Sequence, residues 1–206
     1  MGWRISITTL YASSGGNVFI TAEHCLFNID GPWFHKSWES RDSNTFGNSI
    51  GSRIFAKDNH PDIGYIDLGG NVQPTYNIQN SDDTEFPLLK ITGWGIAGVG
   101  AFICRSSFTH IACGRILLTG QTVKIEETAG IVFNLDVISF SDTAPQMGDV
   151  GGAYFAFDNS HTDVDAVGIH VGSGCLQYPG YPPCTSTNVA FMEPIDRTLF
   201  SYDCGS

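Results

Sequence analysis

Gly148-Asp149-Val150-Gly151-Gly152, followed directly by Ala153-Tyr154-Phe155-Ala156-Phe157, is the stretch on which the reading of this chain turns. The second half is aromatic and free of Gly and Pro, and it predicts a strand. The first half is a glycine-bracketed loop leading into it. Two stretches upstream belong with it: Thr21-Ala22-Glu23-His24-Cys25 and His60-Pro61-Asp62-Ile63-Gly64-Tyr65-Ile66. An imidazole, a carboxylate and a glycine loop therefore follow one another along the chain.

A chain of 206 residues can bury one substantial core, or two small ones packed together. With 24 Gly, 14 Phe and only 15% charged residues, it suits many short strands joined by tight turns, an all-β class. A net charge of −11 argues against a nucleic-acid partner, because phosphate neutralisation needs Lys/Arg patches. No apolar run reaches the roughly 18 residues that a spanning helix needs, so no membrane partner is expected. Six cysteines at positions 25, 104, 113, 175, 184 and 204, none in a CxxC pair, predict disulfides and an oxidising compartment. Six histidines are present, but no Cys/His spacing suits a ligand pair, so neither metal nor other cofactor is expected. The opening Met1-Gly2-Trp3 has no signal-peptide pattern. For a secreted protein the expectation is an initiator Met standing in place of a removed leader.

His24, Asp62 and the Gly148–Gly152 loop, in that order, resemble the trypsin/chymotrypsin superfamily of serine endopeptidases, whose triad runs His, Asp, Ser. The resemblance extends from about residue 4 to the end. It implies two packed six-stranded antiparallel β-barrels, residues 1–85 and 86–206, with the site between them and one C-terminal helix. It makes His24 the base, Asp62 its orienter, and the N–H groups of Gly148 and Val150 an oxyanion hole. Taken alone, His24 also fits a loop histidine beside a disulfide, and Asp62 a turn residue after Pro61. Asp67 competes for the aspartate role, but it lies inside the following strand and lacks the pattern.

The departure is at the nucleophile. The family pattern is Gly-Asp-Ser-Gly-Gly, and Val150 holds the place of the serine. Valine has no lone pair and no acidic hydrogen, so it forms no acyl-enzyme, and its second methyl crowds the attacked carbonyl. The resemblance thus implies a secreted, catalytically inactive protease homologue, a monomer that binds a polypeptide or host protein through the retained cleft. The alternative is an active endopeptidase whose serine was replaced for study; alanine is the usual choice for that, which favours a natural valine. An unrelated structural β-domain would leave three ordered motifs to coincidence.

Further segments extend the resemblance. Ile5–Leu10 and Val18–Thr21 predict a hairpin, and Arg53–Ala56 a short strand, while residues 69–90 suit a crossing between barrels. Lys90–Gly100 alternates but is broken by four glycines. Cys104-Arg105-Ser106, a short loop and Cys113-Gly114 are similar to the bacterial branch, where the two cysteines close a hairpin. Cys-Arg-Ser combined with the Gly148–Ala153 stretch, which matches Gly-Asp-Ser-Gly-Gly-Ala except at Val150, is also similar to secreted homologues of plant-pathogenic Gram-positive bacteria. In that branch an Arg in the position of Arg105 pairs with the Asp before the nucleophile, here Asp149, which suits the cost of burying an unpaired carboxylate. Ile131–Phe140 predicts a long strand interrupted by Asn134 and Asp136.

The specificity pocket and the remaining bridges rest on the resemblance too. Ala166–Gly174 matches the strand that pairs with substrate backbone, with Gly172 and Ser173 as pocket wall. Ala144, six positions before Val150, stands where trypsin-like members carry an Asp, so a basic side chain is not preferred. His170 in Gly-Ile-His-Val-Gly resembles the histidine with which glutamyl endopeptidases receive an acidic side chain; the alternative is a strand histidine satisfied by a neighbour. Pro194–Cys204 carries Ile195, Leu199 and Tyr202 at helical spacing. Six cysteines allow fifteen pairings, and the resemblance implies 104–113 and 175–184. Cys25 and Cys204 are then expected to form the third bridge.

Overall fold

The computed structural model describes residues 8–9, 18–26, 32–34, 47, 49–56, 62–68, 74–80, 82–108, 110–125, 130–140, 145–146, 148–175 and 189–196. Apart from the short helical turn Glu23–Cys25 and the helical residues Ile195 and Asp196, its regular structure is strand. Strands β1 (Thr8–Thr9), β2 (Val18–Thr21), β3 (Trp33–Phe34), β4 (Ser49–Ala56) and β5 (Gly64–Leu68) form one antiparallel sheet in the order β1-β2-β5-β4-β3. A second sheet contains β6 (Asn77–Gln79), β7 (Leu88–Trp94), β8 (Phe102–Ser106), β9 (Ile111–Ile125), β10 (Gly130–Phe140), β11 (Ala153–Phe157), β12 (Asp163–Gly174) and β13 (Val189–Pro194).

The second sheet closes on itself. Its order is β11-β8-β9-β10-β13-β12-β7-β6, and β11 also pairs with β12. Six strands, β8-β9-β10-β13-β12-β11, therefore make a closed antiparallel barrel with no free edge in that ring. β7 joins outside the ring, parallel to the start of β12, and β6 pairs with β7. By strand pairing, residues 77–79 thus belong with the second unit, ahead of the 85/86 boundary expected from sequence. Ile78 and Leu89 explain this: both are buried in one cluster with Cys104 and Phe155 of the barrel. A three-residue strand among turn formers has too few positions to show a period.

The two sheets meet through apolar side chains. Val18, Ile20, Ile63 and Tyr65 of the first share a buried cluster with Ala166, Ile169 and Ile195 of the second. Each fully buried branched side chain of this kind contributes about 1.5–3 kcal/mol. Cys104 and Cys113 are register partners on β8 and β9 and form a disulfide. The glycine after the second cysteine has a steric reason, since a Cβ on Gly114 would lie 1.8 Å from the Ser139 carbonyl oxygen of β10. The interruptions in β10 are a bulge: Asn134 has φ 63° where the register shifts, and buried Asp136 accepts the Gly120 N–H at 3.2 Å. Beyond Asp196, the expected C-terminal helix lies outside the described residues.

Candidate active site

Strand pairing builds the first half of the site. Thr21 at the end of β2 pairs with Gly64 at the start of β5, so the residues just beyond each end lie side by side. Those residues are His24 and Asp62. The turn can lie close because Gly64 has no side chain: a Cβ there would come within 2.4 Å of Leu26 and 3.2 Å of the Glu23 backbone. His24 Nδ1 is 2.6 Å from Asp62 Oδ2, and the His24 backbone N–H donates to Oδ1 at 3.0 Å. Both carboxylate oxygens therefore hold one residue, which fixes the ring orientation.

Burial pulls the His24 pKa down, but hydrogen bonds and charge from Asp62 and Cys25 outweigh it and push the value up to about 10. The folded pKa lies above the ordinary 6.5, so the stabilisation is complete below pH 6.5 and is lost as the pH rises towards 10. An NMR titration is expected to find the His24 imidazolium still present at about pH 8. A midpoint at or below the ordinary value would refute this.

Cys25 corrects one expectation. It carries a free thiol, so the 25–204 bridge is not formed. Its place on the Glu23–Cys25 turn puts it against the apolar cluster of Ala22, Val132, Leu135, Val137, Val171, Val189 and Phe191, and beside His24. Cys175 is disulfide-bonded, while Cys184 and Cys204 lie outside the described residues.

The Gly148–Gly152 loop supplies the second half. Gly148 and Gly151 have φ of 98° and 87°, a region that side chains disfavour, and a Cβ on Gly152 would meet the Ser106 carbonyl oxygen at 2.6 Å. Two glycines of the motif are thus required by backbone conformation and the third by close approach. Asp149 N–H donates to Gln146, Gly151 N–H to His170 and Gly152 N–H to Asp149. The N–H groups of Gly148 and Val150 have no acceptor among the described residues. Val150 is half-buried and packs on the same apolar cluster as Cys25, so the loop and the His24 turn meet across it.

Arg105 and Asp149 anchor the loop from inside the barrel. Both are wholly buried, with Arg105 Nη2 donating to Asp149 Oδ2 at 2.7 Å. The Gln146 N–H donates to the same oxygen, and Arg105 Nε donates to Ser107 at 3.3 Å. The Arg105 guanidinium also lies 5.2 Å from the Phe140 ring centroid. This ion pair and the 104–113 bridge match the geometry that the resemblance implied.

The ion pair continues into a polar column that sequence reasoning missed. Tyr154 is the register partner of Arg105, so both side chains point into the barrel. The Tyr154 hydroxyl lies 3.2 Å from His170 Nδ1. Burial holds the phenol protonated, and Arg105 bonds to its oxygen. Since Arg105 only donates, Tyr154 accepts there and donates its proton to Nδ1. His170 is held neutral by burial and by the Arg105 charge, and its ring also bonds the Phe191 carbonyl. Both faces of that imidazole are thus engaged within the protein, the arrangement of a strand histidine satisfied by its neighbours. Only alternation within Ala153–Phe157 could have placed Tyr154 inward, and nothing local says what it meets.

Gly172 and Ser173 lie on β12 just past His170. Ala144 lies outside the described residues. Among the described residues no group of three or more His, Cys, Asp or Glu side chains could hold a metal ion.

Neither a protein-family model nor a curated protein sequence matches this chain. Solved structures do. A glutamic-acid-specific serine protease described as using a histidine triad in substrate binding is similar at 24% identity and TM-score 0.68, covering 96% of this chain and 88% of that one. Cellulomonas bogoriensis chymotrypsin is similar at 22% identity and TM-score 0.64, covering 97% and 94%. Thermobifida fusca protease A is similar at 23% identity and TM-score 0.61, covering 97% and 87%. Two sheets packed through a shared core, the second closed as a barrel, together with these likenesses, give this chain the chymotrypsin-like serine-protease fold.

Proposed function

We propose that this protein is a catalytically silent serine-protease homologue whose cleft holds an extended polypeptide without cutting it. The observation that carries the reading is the edge of β12. His170 exchanges backbone hydrogen bonds with Gly151 and Gly152, and from Gly172 to Gly174 the strand pairs with β13 alone among the described residues. An edge with unpaired N–H and C=O groups is a template for one more strand. The His24 turn meets the same loop through Cys25 and Val150, and the Gly148 and Val150 N–H groups would donate to a carbonyl held there. Val150 is the reason for silence, since nothing at its side chain can attack.

An acid-binding role for His170 is not carried forward. Its ring partner is a tyrosine, and its N–H is committed to the Phe191 carbonyl. The Cys104–Cys113 bridge and the bonded Cys175 support an oxidising, extracellular location, where disulfides persist.

Two measurements test the reading. The pure protein is expected to leave casein intact; turnover abolished by His24→Ala would overturn the silence. A peptide library panned on the protein is expected to give binders lost in Gly172→Phe, where the new ring covers the strand edge while circular dichroism is unchanged. No binders, or binders indifferent to that change, would sink polypeptide capture.

A further inference from the structure

From Gly93 to Cys104 the chain runs Gly-Trp-Gly-Ile-Ala-Gly-Val-Gly-Ala-Phe-Ile-Cys, with no charged residue. Such a run belongs in a core, yet much of it lies outside. Ile96 is 73% exposed, Val99 65%, Phe102 54% and Trp94 51%, and Leu117 on β9 is exposed as well. The silent cleft does not account for this apolar surface, and contiguous exposed apolar residues mark an interaction site.

The loop is held up, not loose. Ala97 and Ala101 root it on the barrel cluster of Ile103, Ile116, Ile138, Tyr154, Val167 and Met192. Gly95 N–H donates to the Ala166 carbonyl at 3.0 Å, Gly100 N–H to Ile116 at 2.8 Å and Ala101 N–H to Gly98 at 3.0 Å. Arg115 Nη1 donates to the Gly100 carbonyl at 2.9 Å. A Cβ added at Gly95, Gly98 or Gly100 would meet nothing within 4 Å, so the backbone stands clear of its surroundings.

We propose that the Trp94–Phe102 loop anchors the protein at a zwitterionic phospholipid surface, with Trp94, Ile96, Val99 and Phe102 in the interfacial layer and Arg115 at headgroup phosphate. Entering an apolar medium is costly for unpaired backbone groups, and here several are already paired internally. Tryptophan favours the interface because its ring is apolar with one polar edge. Arg115 lies over the Phe102 ring at 5.6 Å, at the rim of the patch. A protruding tip suits a fluid layer that moulds around it, whereas a protein partner needs a matching hollow. A second copy would also meet the repulsion of two chains each at −11, which neutral headgroups do not impose. Asp165 beside Gly93 is the acidic flank and further disfavours an anionic lipid. The earlier expectation of no membrane partner rested on the lack of a spanning segment. A surface anchor needs none.

The test uses the full chain and large unilamellar vesicles of phosphatidylcholine. Wild type is expected to float with the vesicles, and Ile96→Asp/Val99→Asp to lose at least about tenfold in bound fraction, since two apolar side chains leave the interface. Brominated phosphatidylcholine is expected to quench wild-type fluorescence by an increment missing in Trp94→Phe, which decides the matter if the double variant fails to fold. The proposal is overturned if wild type stays out of the vesicle layer, or if a folded double variant binds equally. A wild-type dimer dissolved by the double substitution, with no vesicle binding, overturns it in favour of a second copy.

Discussion

Val150→Ser is expected to change this protein from unreactive to fully labelled by a fluorophosphonate probe, with peptide hydrolysis to match. Loss of the nucleophile alone costs on the order of 10⁶ in turnover in a comparable protease, so its return is the largest single effect available here. His24 is held by both oxygens of Asp62, and the Gly148 and Val150 N–H groups have no acceptor among the described residues. A serine hydroxyl is smaller than the valine branch, so the loop accepts it without overpacking. Only the neutral imidazole can take the hydroxyl proton. With the His24 pKa pushed up to about 10, the labelling rate of the serine variant is therefore expected to climb with pH towards that value. Val150→Ser/His24→Ala should lose the gain. A folded Val150→Ser protein that resists the probe across this pH range would show that His24 and Asp62 form a structural pair only.

Arg105→Met is expected to be the most damaging substitution for stability, at about 3–5 kcal/mol. The cause is the carboxylate left behind. Asp149 is wholly buried, and the guanidinium is the cation held 2.7 Å from its carboxylate. The cation also bonds the Tyr154 oxygen, so its loss frees one end of the column reaching His170. Urea denaturation of wild type, Arg105→Met and Arg105→Met/Asp149→Leu measures the effect. The double variant should recover most of the loss, because replacing a buried pair by apolar groups removes both desolvation costs. A loss below about 1 kcal/mol in the single variant would show that water reaches Asp149.

The chain by itself determined the fold class, the order of the motifs and the residue type at position 150. Those follow from residue types: strand formers between glycines, an imidazole and a carboxylate at strand ends, and a side chain that cannot attack. The resemblance carried by Cys-Arg-Ser and Cys-Gly also led to the 104–113 bridge, whose cysteines are register partners on one hairpin, and to the Arg105–Asp149 pair, which joins positions 44 residues apart. Tertiary structure alone decided what distant strands bring together. Tyr154 faces Arg105 and His170 only because β11 lies between β8 and β12, and one local sequence cannot encode three strands at once. The same holds for Cys25, whose pairing was counted from the number of cysteines while its thiol was placed by the apolar cluster beneath it. Lys90–Gly100 reads as a strand broken by glycines, and packing alone shows which apolar side chains there and just beyond the barrel covers and which it leaves to solvent. Local chemistry is written in the chain; burial is a property of the neighbours that the fold supplies.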